Sequence, residues 1–281
     1  MIPQRNLSLL SNRLAHGGER RIPEAVLERD YCLSWFLVEL SRTSLKDILA
    51  FKGGTAIKKC YVSDYRFSED LDFTLREQVS FETIQNHLDD VFRSTEEESG
   101  IRIHFSNYDR RSHENSHTFY LGYDGPLPGT TGKEVKVDIT INEKIVFPIN
   151  SMPVLKAYDE YQDLPVGAMI GVYSLNEIAT EKIIALFDPA RNEPRDLYDL
   201  WYLTTSDLVE LTDLKEAVKL KTEFRGKTIT QARDNFLRKE ARLKKLWTVR
   251  LSSQMASLPE FDEVYRAVLR RMRQGGLLNL T

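Results

Sequence analysis

Apolar and polar positions change period several times along the chain, and each change marks an element. From Pro23 to about Leu40, the residues Val26, Tyr31, Leu33, Trp35, Leu37 and Leu40 are too dense for one narrow stripe and predict a well-buried first helix. LKDILAFKGGTAIKK reads as the approach to a glycine turn and the start of another helix. LDFTL, IRIHFSNY, HTFYLGYDG and EVKVDITINE have strand character, FETIQNHLDDVFRSTEEES is helical, and GPLPGTTG between the last two strands marks a turn or mobile loop. Strands are concentrated before Phe147. FPINSMPVLKAYDEYQDLPVGAMIGV is a connecting stretch, and the patterns after it are mostly helical. Strands first and helices afterwards predict an α+β, or mixed α/β, protein. The expected division is a core with N-terminal helices over residues 1–165 and a helical domain over 166–281.

Two helix starts in the second half are well signalled. SLNEIATEKIIALF opens with a capping-box pattern, Ser174 with Glu177 three residues later. Its stripe of Leu175, Ile178, Ala179, Ile183 and Leu186 has Lys182 near the middle, which leaves two readings: a lysine snorkelling along the helix, or a fixed point charge aimed at a phosphate or oxygen. EPRDLYDLW sets Pro194 at a helix start and places Asp196 and Asp199 on one face. Asp196 suits the first-turn dipole, whereas Asp199, between leucines, is a candidate to orient Lys182 or a substrate hydroxyl.

Composition narrows the class. The 281 residues are 41% hydrophobic and 29% charged, an ordinary globular balance. The opening MIPQRNLSLLSNRLAHGGERR lacks both the apolar stretch of a signal peptide and the length of a membrane span, which predicts a cytoplasmic protein with no membrane partner. Cys32 and Cys60 lack metal-ligand spacing, so neither a disulfide scaffold nor a zinc site is expected. The net charge of −3 conceals a division: residues 219–250 hold eleven Lys and Arg against three Asp and Glu, so this window carries +8 and the remainder −11. ITQARDNFLRKEARLKKLWTVRL reads as one basic amphipathic helix. Ala232, Phe236, Leu243 and Leu246 lie on one side, and Arg233, Arg238, Lys239, Arg242, Lys244 and Lys245 largely on the others. It is either a solvated face or a contact surface for the phosphate backbone of RNA or DNA.

The candidate chemistry lies in the first half. In SEDLDF, Asp70 and Asp72 are two apart, so on a strand their side chains leave the same face, about 7 Å apart at the backbone. Such a pair can share a cation, and carboxylates converging on Mg²⁺ are a common protein contribution to phosphoryl and nucleotidyl transfer. Upstream, Gly53 and Gly54 precede TAIKKCY, a turn able to deliver backbone N–H groups to a triphosphate or, more simply, a plain loop-to-helix transition with Lys58 and Lys59 solvated. In EVKVDITI, alternation puts Val135, Val137, Ile139 and Ile141 on one face and Glu134, Lys136, Asp138 and Thr140 on the other, which makes Asp138 a third carboxylate.

KGGTAIKK, YRFSEDLDF, KVDIT, IATEKIIAL and RDLYDLW, in this order, resemble the AbiEii/AbiGii family of nucleotidyltransferase-like toxins from abortive-infection and toxin–antitoxin loci. The resemblance spans roughly residues 30 to 205, with weaker support from WTVRL and LPEFDEVYRAV. It implies a polymerase-β-like nucleotidyltransferase core, Mg²⁺ as cofactor, NTP as substrate, a cognate antitoxin, and, in the MenT-like branch, transfer to the 3′ acceptor end of tRNA. Carried over by motif, Gly53, Gly54 and Ser68 would lie at the nucleotide phosphates. Asp70, Asp72 and Asp138 would bind metal, and Lys182 with Asp196 or Asp199 would match the later motifs. This chain has Gly-Gly where many classical nucleotidyltransferases have Gly-Ser, which leaves Ser68 or backbone amides to bind phosphate. Two alternatives stay open: nucleotidylation of a protein or small molecule by the same fold, and a non-catalytic nucleic-acid-binding module.

Overall fold

The computed structural model describes residues 1–15, 20–108, 114–129, 131–229 and 231–280. Its elements group into two compact units, the first comprising Met1–Asn142, Ile149–Val172 and Ser253–Ala256, the second Glu143–Pro148, Tyr173–Ser252 and Ser257–Thr281.

The first unit is built on one sheet. Helices α1 (Gln4–Leu14), α2 (Glu24–Leu40) and the single turn α3 (Leu45–Ile48) lead into β1 (Leu49–Lys52). A short helix α4 (Gly53–Ala56) continues as a wide π-type turn over Ile57–Tyr61. Then come β2 (Leu71–Leu75), α5 (Phe81–Ser99), β3 (Arg102–Tyr108), β4 (Ser116–Asp124), β5 (Glu134–Thr140), β6 (Ile149–Pro153) and β7 (Met169–Tyr173). The strand order is β3-β4-β5-β2-β1-β7-β6. β1 is antiparallel to β2 and parallel to β7, β2 and β5 are parallel, and β3, β4 and β5 form an antiparallel meander.

Strand alternation gives this sheet two unlike faces. Phe51, Leu71, Phe73, Phe119, Leu121, Val135, Val137 and Ile139 are all buried on one face. There α2 brings Cys32, Leu33 and Phe36 against Leu121, Tyr123 and Val135, while α5 tilts Phe81 against Phe119 and sets Phe92 edge-on to Phe105. The polar residues of β1, β2 and β5 are therefore left to the opposite face. The density of apolar positions in α2 is answered by burial of every residue from Asp30 to Leu40, although α1 precedes it, so it is the second helix rather than the first.

Three sequence readings are corrected here. LAFK is a strand, and the stretch taken as connecting contains β6 and β7. These segments are four or five residues long, too short for a period to emerge, and INSMP lies at the sheet edge with a half-buried pattern and a terminal proline. Lys58 and Lys59 are not solvated: both are buried in the turn after α4. Lys59 Nζ meets Asp30 Oδ1 at 2.6 Å and Ser34 Oγ at 2.7 Å, and Lys58 Nζ donates to the carbonyls of Ser63 and Tyr65 and to Tyr158 Oη, each at 3.0 Å. The loop expected between β4 and β5 is clasped by buried Glu28, whose Oε1 accepts from Leu127 N and Lys133 Nζ; Thr130 within it lies outside the described residues.

The second unit is helical, with α6 (Leu175–Phe187), α7 (Pro194–Thr205), α8 (Lys215–Phe224), α9 (Ala232–Arg238), α10 (Glu240–Leu251) and α11 (Phe261–Gln274). Trp247 packs edge-on to Phe261, and Phe236 stacks on Tyr265, so aromatic rings join α9, α10 and α11. The basic helix read as continuous is divided into α9 and α10 at Lys239, and Thr230 within the quoted stretch lies outside the described residues. Lys239 itself is buried with Nζ donating to Ala185 O, which removes it from the exposed face on which periodicity placed it. Ser174 caps α6 by accepting from Glu177 N, but Glu177 does not return the bond. Its buried carboxylate instead accepts from Val146 N, Phe147 N and Lys221 Nζ.

Candidate active site

The register of three strands assembles the first constellation. Asp72 on β2 lies directly opposite Asp138 on parallel β5 and opposite Lys52 on β1, and Thr118 on β4 is the next partner of Asp138. One row across the sheet thus reads Lys52, Asp72, Asp138, Thr118. Neighbouring strands lie only about 4.8 Å apart, so this register, more than the D-x-D spacing, brings carboxylates together. Asp70 stands just ahead of β2, two residues before Asp72.

The members of the row on either side of Asp72 are held. Asp138 Oδ1 accepts from Thr118 Oγ1 at 2.9 Å and Oδ2 from Lys136 Nζ at 2.8 Å. Lys52 Nζ donates to Thr140 Oγ1 at 3.0 Å. Partial burial lowers the pKa of Lys136, but the hydrogen bond to Asp138 and the charges of Asp138, Asp72 and Asp70 outweigh it and raise the net value. All three acids therefore act on one place. The backbone oxygen of Asp70 accepts from buried Thr55 Oγ1, which ties the start of β2 to α4.

Gly53 is where the turn requires glycine. Its φ of +80° is strained for any L side chain, and a Cβ there would stand 2.7 Å from Asp72 Oδ2. The backbone after β1 consequently runs against the carboxylate row, with Gly54 following it in α4. Half-buried Ser68 lies in a segment pinned on both sides. Phe67 N donates to Gln254 O at 2.7 Å, and Glu69 pairs with Arg29 at 3.4 Å.

A second constellation lies within the helical unit. Lys182 on α6 is 12% exposed and places Nζ 2.8 Å from Asp196 Oδ1 and 2.7 Å from Asp199 Oδ2, both acids being buried on α7. Snorkelling to solvent is thus not its conformation. Burial opposes ionisation of Asp196, but Lys182 and Arg191 hold its carboxyl below the usual range. Arg191 Nε reaches Asp196 Oδ2 at 2.6 Å. Sequence reasoning missed Arg191, Lys52 and Thr118 as neighbours of these acids. Lys136 was placed on the face of Asp138, and that alternation was the one available signal.

The donor set suits a hard cation. Among the described residues no three His, Cys, Asp or Glu side chains converge closely enough to enclose a metal ion. Mg²⁺, however, is ordinarily held by one or two carboxylates together with substrate phosphates rather than by an all-protein cage, and the adjacent Asp72 and Asp138 meet that requirement.

Comparisons with known proteins bear on the fold and the family. MenT4, a nucleotidyltransferase toxin from Mycobacterium tuberculosis H37Rv, superposes with a TM-score of 0.54 at 18% identity over 94% of this chain and 87% of that one. A nucleotidyltransferase-like antigenic protein from Paracoccidioides brasiliensis covers 80% of this chain and 94% of its own at 15% identity, but its TM-score of 0.37 carries no argument. No curated protein matches the sequence. At these identities the MenT4 likeness shows the fold, that of the nucleotidyltransferase toxins. The profile of the AbiEii nucleotidyl transferase toxins, of type IV toxin–antitoxin systems, matches residues 35–267, most of the sequence, and the chain belongs to that family.

Proposed function

We propose that this toxin transfers nucleotides from an NTP to RNA, at the 3′ acceptor end of tRNA, and so blocks translation. The observation that carries the reading is the register pairing of Asp72 with Asp138 beside the Gly53 turn. Gly53 and Gly54 offer backbone N–H groups, and Ser68 a hydroxyl, to the nucleotide phosphates. Asp70, Asp72 and Asp138 would hold Mg²⁺, which offsets phosphate charge when bound. The 3′ hydroxyl oxygen bonds to the α-phosphorus, the α–β anhydride bond breaks, and pyrophosphate leaves. The hydroxyl proton passes to a carboxylate of the row and then to solvent. Lys182, held between Asp196 and Asp199, would offer a fixed cation to a substrate oxygen.

RNA is the acceptor favoured by the exposed basic residues Arg233, Arg238, Arg242, Lys245 and Arg250 in the 219–250 segment. A cytoplasmic location follows from those substrates, and no described helix is long and apolar enough to cross a membrane. Family membership implies a cognate antitoxin, and we extend it to a role in antiviral defence. The test is incubation with each NTP in turn, total RNA and Mg²⁺, followed by sequencing of RNA 3′ ends, with EDTA as control. Added nucleotides on tRNA ends, lost with EDTA, are expected. Label on protein and none on RNA would overturn the RNA assignment.

A further inference from the structure

Lys136 is drawn into the carboxylate row by its own strand. Alternation along β5 puts it on the face of Asp138, and its Nζ sits on Asp138 Oδ2 at 2.8 Å while Thr118 takes Oδ1 at 2.9 Å. Both oxygens of the acid facing Asp72 are therefore engaged. The two partners differ in kind. Thr118 is neutral and fixed by the adjacent strand, whereas Lys136 brings a full positive charge on a flexible stem that is 38% exposed. Lys52 stands at the far end of the row, opposite Asp72, and donates to Thr140 Oγ1.

We propose that Lys136 is a resident counter-ion of Asp138 in the carboxylate row, and that it must leave Asp138 Oδ2 before a divalent cation can use that oxygen. It makes the metal-free row tolerable, since like charges on adjacent strands repel, and it weakens metal binding by the same amount. Swinging the ammonium outward costs little because the side chain is already partly in water. Lys136 is on this account a positioning residue that sets metal affinity. The inference rests on the reading that Asp72 and Asp138 take the metal.

The test is Mn²⁺ binding without nucleotide, followed by electron paramagnetic resonance and calorimetry, on the full chain and on Lys136→Met, Lys136→Gln, Lys136→Arg and Asp72→Ala. Lys136→Met and Lys136→Gln are expected to bind Mn²⁺ roughly fivefold more tightly, while Lys136→Arg, which keeps the charge, stays within about twofold of the parent. Thermal stabilisation by Mn²⁺ should also be larger in the two neutral variants. Two neutral variants guard against one folding poorly. Binding that needs Asp72 but is unchanged or weaker without Lys136 overturns the counter-ion role alone. Mn²⁺ binding that is absent in the parent, or unaffected by Asp72→Ala, overturns the metal reading and this inference with it.

Discussion

Asp72 is the residue on which the carboxylate row turns: it faces Asp138 on one side and Lys52 on the other, and its Oδ2 lies against the Gly53 backbone. Asp72→Ala should lower nucleotide transfer by about 10²-fold or more while leaving the thermal midpoint near or above that of the parent, because removing one of two facing carboxylates relieves repulsion. Kinetics alongside a melting curve would check this; lost activity with global unfolding would make the pair structural. Lys182 should behave in the opposite way. It lies between two buried acids, so Lys182→Met removes a close cation from both Asp196 and Asp199 and should cost roughly 3 kcal/mol of stability as well as turnover. Lys182→Arg should recover much of the stability. A Lys182→Met variant with parental stability in urea and parental turnover would sink this assignment.

At the level of elements, the turn after α4 sets the approach to the row through buried lysines rather than through apolar packing alone. Lys58 holds two loop carbonyls, and burial pushes its pKa down to about 8. Burial also lowers Lys59, although Asp30 opposes it. The unfolded chain, with lysine near 10.5, binds more protons than the folded one between those values, so this group makes stability rise with pH above about 8. The buried Cys32 and Cys60 thiols, pushed up by burial, act in the reverse sense from about pH 9, and buried Tyr158 only beyond pH 10. The Lys58 contribution is accordingly read as a difference between the variant and the parent. Denaturation at about pH 7.5 and 9.5 should therefore show a rise in stability that Lys58→Met reduces. An identical slope in that variant would refute the cause.

Across the whole molecule, the +8 of residues 219–250 is less available than counting suggests. Lys221 lies buried among Glu143, Glu177 and Glu181, Lys239 is buried, and Arg225, Lys227 and Lys244 pair with Glu143, Asp188 and Asp262. What remains toward solvent includes Arg233, Arg238, Arg242, Lys245 and Arg250. Arg242→Glu with Lys245→Glu should thus weaken RNA binding at low salt and flatten log affinity against log salt by roughly 1 unit of slope per lost phosphate contact. NTP affinity should stay parental. Equal RNA affinity and slope in both proteins would leave this surface merely solvated.

The sequence by itself determined what is local. Alternation in EVKVDIT put Lys136 and Asp138 on one face, the glycines marked the turn after Lys52, Ser174 and Pro194 marked two helix starts, and the ordered motifs carried the family. These signals survive because strand alternation, positive φ and end-capping depend on a residue and its near neighbours in the chain. Tertiary structure alone decided that β2 lies beside β5 with Asp72 opposite Asp138, that Lys182 sits between two acids, and that Lys58, Lys59, Lys221 and Lys239 are interior. A lysine reads as solvent-facing in any local pattern. Its burial is made tolerable by carbonyls and carboxylates 5 to 78 positions away, such as Ser63 for Lys58 and Glu143 for Lys221, and only packing brings those partners close.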